Sequence, residues 1–196
     1  MKKLSLIVAV ACATLFTQSA PAAKLGDAAP QIKAAKWVQG GPVELKTGQI
    51  TVVEFWATWC PPCRATIPHL NEVYKKYVTK NVAFVGVSDE DESKVSAFVK
   101  QMGDKMTYPV AIGSDATQAG YMAAFNARGI PHAFIVDAEG KFAWQGHPMN
   151  GLEAAIEAAI AKRAPLATEA IAKPVEEPAK PAEEPVKPVE PAESAN

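Results

Sequence analysis

Val52-Val53-Glu54-Phe55-Trp56-Ala57-Thr58-Trp59-Cys60-Pro61-Pro62-Cys63-Arg64 is the stretch on which the reading of the chain turns. An apolar, β-prone run ends in a Cys-x-x-Cys pair, and a helical pattern begins at once. That order predicts two thiols at a strand-to-helix turn, with Cys60 at or beside the helix N-cap. Cysteines three apart at a helix start can close a small disulfide ring. The unpaired N–H groups and the dipole of the helix N-terminus favour a thiolate, which is the attacking species in thiol–disulfide exchange. Pro62 suits a helix start, having no N–H to leave unpaired and a preset φ. Pro61 and Pro62 together stiffen the ring and remove two backbone donors from beside the sulfurs.

Half a zinc site and an inert disulfide are the plainer readings of the same pair. A tetrahedral zinc site needs four ligands, usually two such pairs or one pair with two histidines. There is no second Cys-x-x-Cys, and His69, His132 and His147 are scattered. The motif in this context favours redox chemistry. No metal and no cofactor are expected beyond the Cys60–Cys63 pair itself.

Both ends of the chain stand apart from this centre. Met1-Lys2-Lys3, the apolar run Leu4 to Phe16 and Ala20-Pro21-Ala22 read as a secretory signal peptide over residues 1–22. Cys12 lies inside that run and is expected to be discarded with it; a lipid anchor on Cys12 is the lesser alternative. From 164 to 196 there are seven Pro, seven Glu and three Lys, and no aromatic residue. Lys173, Lys180 and Lys187 open an imperfect seven-residue repeat whose prolines forbid a coiled coil. An extended, disordered polyproline-type tail is expected, acting as a spacer.

Residues 24–163 remain as one domain, with 15 Lys and Arg against 14 Asp and Glu. That balance gives no sign of a nucleic-acid partner or an acidic membrane surface. The pattern reads in order as a weak β region over Gly26 to Leu45, a central strand over Ile50 to Trp56, and a helix from about Pro62 to Lys80 that Pro68 should kink. A buried parallel strand follows over Val82 to Val87. Asp89 to Glu92 is expected to be the solvated start of a helix reaching Met102. A short strand over Tyr108 to Ile112, a helix over Ala116 to Phe125 and a strand over Ala133 to Val136 come next. Asp137 to Gly140 is a hairpin turn, Lys141 to Gln145 its return strand, and Gly151 to Arg163 a closing helix. Strands alternating with helices, ended by a hairpin, give an α/β sandwich.

The active stretch, Pro68 five residues after it and Gly129-Ile130-Pro131 before a strand together resemble the thioredoxin superfamily, in the form of the exported TlpA/ResA-type thiol-disulfide oxidoreductases. The resemblance covers about Gly26 to Ala161. It implies a thioredoxin-like three-layer sandwich with a central mixed sheet, an N-terminal β extension and an extra strand-helix insert over about Val82 to Met102. It implies Cys60 as the exposed attacking cysteine, Cys63 as the buried resolving one, and Pro131 as a cis-proline that leaves the Ile130 backbone free to pair with an extended substrate. Glu54, six residues before Cys60, matches a buried acid that relays a proton to or from Cys63. Many TlpA/ResA-type members carry an acid three residues after the second cysteine; here that position is Thr66, a departure from their pattern. Trp59, Pro61 and Pro62 are expected to form a docking face with Ile130 and Pro131, while Trp56 is expected in the core. His132 is expected to be a strand-start residue with a satisfied hydrogen bond.

The same resemblance implies a periplasmic or otherwise exported reductase of protein disulfides, apocytochrome c among its substrates, a membrane electron donor, and a monomer. A disulfide oxidase or isomerase would use the same parts. A thiol peroxidase of the related kind would need Thr or Ser three residues before its cysteine, where Ala57 stands. A tethered binding module whose tail is the working part is the non-enzymatic alternative.

Overall fold

The computed structural model describes residues 22–163. The expected signal peptide, apart from Ala22, and the expected tail lie outside the described residues. Six strands form one sheet in the order β1-β4-β3-β2-β5-β6. The strands are β1 (Ala34–Gln39), β2 (Ile50–Phe55), β3 (Val82–Ser88), β4 (Val110–Gly113), β5 (His132–Val136) and β6 (Phe142–Gly146). The helices are α1 (Pro61–Val78), α2 (Glu92–Met102), α3 (Asp115–Gln118) and α4 (Leu152–Lys162).

Strand β2 lies between β3, to which it is parallel, and β5, to which it is antiparallel. All six of its residues are buried, as expected of a strand covered on both faces. The crossovers β2-α1-β3 and β3-α2-β4 both step toward the same edge. The right-handed rule for such crossovers therefore places α1 and α2 on one face. Their apolar residues Ile67, Leu70, Val95 and Val99 share one cluster with Ile50, Val52 and Trp56 of the central stretch, and with Leu152 and Ile156 of α4. To add β5 on the other side of β2, the chain recrosses the sheet on the opposite face. There α3 and the turn after it cover Val53, Phe55, Val85 and Phe134.

The strands and helices fall within a few residues of their sequence-based bounds, with three differences. The weak β region contributes one strand, β1, antiparallel to β4 at the sheet edge; Ile32 and Val43 pack on the core from outside any strand. Helix α1 runs through Pro68 without interruption. Pro68 is exposed, so the carbonyl left without a donor faces solvent. The helix expected over Ala116 to Phe125 is four α-helical residues followed by a π-helical turn, Ala119–Ala123. The winding widens where Tyr121 is fixed: its hydroxyl donates to the Pro30 carbonyl at 2.8 Å, and its ring packs edge-on to Phe134 and Phe142.

Gly86 is opposite Glu54 in the β2–β3 register. A Cβ there would stand 3.0 Å from Trp56 Nε1 and 3.0 Å from Tyr108 Cε2, and both side chains are fully buried. Gly86→Ala is therefore an overpacking change, expected to lower stability by about 1–3 kcal/mol. Chemical denaturation read by tryptophan fluorescence measures it; an unchanged midpoint would mean the two rings yield freely.

Candidate active site

The first turn of α1 is short of donors by sequence. Pro61 and Pro62 occupy its first two positions and carry no N–H. The first free amide is that of Cys63, and it donates to Cys60 Sγ at 3.2 Å. Cys60 is the N-cap residue, in an extended conformation with φ −90° and ψ 103°. A backbone donor aimed at the sulfur from a helix N-terminus stabilises a thiolate there. Cys60 and Cys63 are joined as a disulfide, with Cα atoms 5.3 Å apart.

The attacking cysteine is less open than the resemblance implies: Cys60 is 3% exposed and Cys63 0%. The cause is the segment before β5. The Ile130–Pro131 peptide is cis, and the Ile130 carbonyl oxygen lies 3.7 Å from Cys60 Sγ. Trp59, the residue before Cys60, is 68% exposed. A cleft of about 530 Å³ opens beside Cys60, lined by Trp59, Pro61, Pro62, Met122 and Ile130, with Asp89, Gln118 and Arg128 among its polar groups. It brings together every residue expected to dock substrate except Pro131, which is the buried neighbour of Ile130. A larger cavity, about 620 Å³, lies by the β5–β6 turn and α4 and holds none of the expected site residues.

Glu54 is 2% exposed. Strand alternation points it to the face that carries α1 and the two cysteines. Neither of its carboxylate oxygens has a hydrogen-bond partner within the protein. Burial pushes its pKa from 4.5 up to about 8, because an apolar site disfavours the charged form. Thr66 is buried and uses its hydroxyl locally, donating to the Cys63 carbonyl at 2.9 Å. His132 hydrogen-bonds Gln145 across the β5–β6 pair, and burial lowers its pKa.

One site residue has no signature in the sequence. Glu90 lies in the acidic run expected to be a solvated helix start, yet α2 begins only at Glu92. The Glu90 carboxylate instead accepts from the Thr58 backbone N–H at 2.6 Å and from the Thr58 hydroxyl at 2.7 Å. Ser88 donates to it as well, at 3.3 Å. The end of β3 thus clamps the loop that delivers Cys60. Among the described residues, no group of three or more His, Cys, Asp or Glu is placed to hold a metal ion.

A mixed sheet whose central strand feeds a Cys-x-x-Cys pair at the head of a helix is a thioredoxin-like fold. The chain belongs to the AhpC/TSA family, whose profile matches residues 25–145. It is similar to the thiol-disulfide oxidoreductase ResA of Bacillus cereus, 36% identical over 107 residues, which are 53% of this chain and 59% of that one. The match thus spans less than two thirds of that relative. It is also similar to the sporulation thiol-disulfide oxidoreductase A of Bacillus subtilis, 27% identical over 131 residues, covering 64% of this chain and 76% of that one. Among solved structures, a thioredoxin-family thiol:disulfide interchange protein of Chlorobium tepidum superposes with a TM-score of 0.56 at 29% identity, over 70% of this chain and 98% of that one. A thiol:disulfide interchange protein from Bacteroides gives a TM-score of 0.59 at 24% identity, over 70% and 91%, a likeness of fold alone.

Two outcomes follow from this geometry. Glu90→Ala removes the acceptor for two Thr58 donors and is expected to lower stability by about 1–2 kcal/mol; Glu90→Gln, which keeps an acceptor, should recover part of it. Denaturant midpoints of the two variants, compared with the parent, check this. For Glu54, the folded protein keeps its proton up to about pH 8, whereas a carboxyl at the ordinary 4.5 releases it. Unfolding between those values releases a proton, so stability falls as pH rises through that window, by roughly 1.4 kcal/mol per unit at most. Glu54→Gln should flatten that slope. Midpoints at pH 5 and pH 8 read it directly, and an equal slope in both proteins would refute it.

Proposed function

We propose that this chain is an exported thiol–disulfide oxidoreductase that reduces disulfides in substrate proteins. The observation that carries the reading is the Cys60–Cys63 disulfide at the head of α1, with the Cys63 N–H on Cys60 Sγ, a cleft beside it and a buried acid on the same sheet face. The names borne by its relatives support it.

In the reduced protein the Cys60 thiolate attacks one sulfur of a substrate disulfide. The substrate S–S bond breaks, a Cys60–substrate disulfide forms, and one substrate thiolate leaves. An extended substrate segment in the cleft pairs with the backbone at Ile130 by strand addition. Glu54 takes the Cys63 proton; its pKa near 8 sits close to that of an ordinary thiol, about 8.5, so the transfer is nearly balanced. The Cys63 thiolate then attacks Cys60 Sγ, the second substrate thiolate leaves, and the Cys60–Cys63 disulfide is restored. The substrate has gained two electrons, and its two thiolates take up one proton from Glu54 and one from solvent. A membrane dithiol donor returns two electrons to the pair, since an oxidising exported compartment supplies no thiol pool. Apocytochrome c, when its two cysteines are joined as a disulfide, is a substrate of the right class. The protein acts in the periplasm or another exported space, as a monomer.

Three features favour this direction and chemistry. Between α1 and β5 the chain runs β3-α2-β4-α3, short helices alternating with strands, rather than a large helical domain of the DsbA kind. Ala57 stands where a thiol peroxidase needs a hydroxyl. The residues that build the site lie within 54–131, so a tail-driven binding role leaves them without a purpose.

Cys60→Ser should abolish turnover in a dithiol-driven insulin reduction assay. Cys63→Ser should accumulate mixed disulfides with substrate, visible as dithiothreitol-sensitive adducts on non-reducing gels from cells. An active Cys60→Ser protein, or no adducts with Cys63→Ser, would overturn the mechanism. The reduction potential decides direction: about −270 mV or lower fits a reductase, and about −120 mV an oxidase.

A further inference from the structure

Four polar atoms on and near the central strand are buried without a protein partner: both carboxylate oxygens of Glu54, the Trp56 indole Nε1 and the Tyr108 hydroxyl. Buried polar atoms are ordinarily paired, because desolvation without compensation is costly. The three residues are gathered by Gly86. It lies opposite Glu54 in the β2–β3 register, and the space its missing side chain leaves is closed by the indole N–H edge of Trp56 and the ring of Tyr108. The Trp56 indole N–H and the Tyr108 ring thus line the space at Gly86, and Glu54 projects to the same sheet face from the position opposite it.

Tyr108 is held there firmly. Gln39 of β1 donates through Nε2 to the carbonyls of Met106 and Tyr108, at 2.9 and 2.8 Å. Asn71 of α1 accepts from the Thr107 N–H at 2.7 Å and donates to the Asp104 carbonyl at 2.7 Å. The Tyr108 ring is fully buried, and ionised Glu54 raises the Tyr108 pKa further above its burial-shifted value. Tyr108 is therefore an O–H donor across the working pH range, within electrostatic reach of Glu54.

We propose that Tyr108 is the positioning residue for the Glu54 carboxyl: its phenol O–H donates a hydrogen bond to the Glu54 carboxylate, directly or across one water, once that carboxyl has given up its proton. The inference rests on the reading of Glu54 as the proton acceptor for Cys63. The effect is to make the acid easier to ionise than burial alone would allow, so that it returns its proton within each cycle. Other titratable groups facing this cluster are few. Strand β3 presents Gly86 and β5 presents Ala133. Helix α1 brings the two cysteines and Tyr77, α2 brings Val95 and Val99, and α4 brings Leu152 and Ile156. Among the cations on this side, the Arg64 guanidinium lies 5.9 Å from the centre of the Phe98 ring and the Lys76 and Lys80 ammonium groups lie over the Tyr77 ring; desolvation is the one cause of the Glu54 shift.

The test is Tyr108→Phe, which removes one oxygen and keeps the ring. In the oxidised full-length protein, where the cysteines do not titrate, carbon-13 NMR of labelled glutamate follows Glu54, assigned by its loss in Glu54→Gln. The midpoint is expected to rise by about one pH unit in Tyr108→Phe. An unchanged midpoint overturns the proposal, whatever the exchange activity. In the reduced protein, the pH profile of disulfide exchange should shift upward in Tyr108→Phe, with no further shift when the change is made in Glu54→Gln. The same shift in the Glu54→Gln background would mark a merely structural role and overturn the proposal too. If Glu54→Gln and the parent share one exchange profile, the proton-acceptor reading of Glu54 fails, even where the NMR midpoint moves.

Discussion

The interaction on which the site depends is the single hydrogen bond from the Cys63 N–H to Cys60 Sγ. A helix N-terminus ordinarily offers several free amides to whatever sits at its cap. Here two prolines withdraw the first two and leave one. The electrostatic help of α1 is thereby concentrated on one sulfur, and the second sulfur, three residues on and fully buried, receives none from that amide. The two cysteines differ because of the backbone around them, and an exchange reaction needs that difference: one thiolate ready to attack, one thiol waiting to resolve.

The sheet topology supplies the remaining asymmetry. Successive right-handed crossovers place α1 and α2 on one face and send the chain back across the other. One end of β2 therefore meets three things at once: the head of α1, the Glu90 clamp at the end of β3, and the Ile130–Pro131 segment ahead of β5. The first continues β2 itself and the other two come from its neighbours β3 and β5, so the cleft forms only when the three strands are in register. Glu90 illustrates the economy of the arrangement, since one carboxylate two residues past β3 accepts from Ser88 at the strand's end and fixes Thr58 two residues ahead of Cys60.

Most of the fold could be read from the sequence because its signals are local. The apolar run of β2, the thiol pair and the proline-marked helix start lie within thirteen consecutive residues, and α/β alternation orders the rest. The π-helical turn could not be read, because it answers to a contact between Tyr121 and Pro30, ninety-one residues apart. Glu90 was legible only as one more charge in an acidic run; its role depends on the parallel register that brings the end of β3 to Thr58. The near-burial of Cys60 has the same origin, a carbonyl seventy residues away. Tyr108 reads as an ordinary strand-start aromatic until the register sets Gly86 beside Glu54.

Glu54 shows why such residues escape a local reading. A lone carboxylate in a fully buried central strand conflicts with the rule that buried charges are paired, and within the strand nothing offsets it. The burial that costs stability above pH 5 also brings the acid into the range of a thiol, from 4.5 to about 8. A salt bridge would have removed the cost and, by favouring the charged form, removed the match as well. On the role proposed for Tyr108, a neutral donor is a middle course: polar enough to accommodate a proton's departure, without a charge that would make it permanent. The absence of a side chain at Gly86 lets the Trp56 indole and the Tyr108 ring approach, and on that proposal a position with no chemistry of its own bears on the proton affinity of the one opposite it.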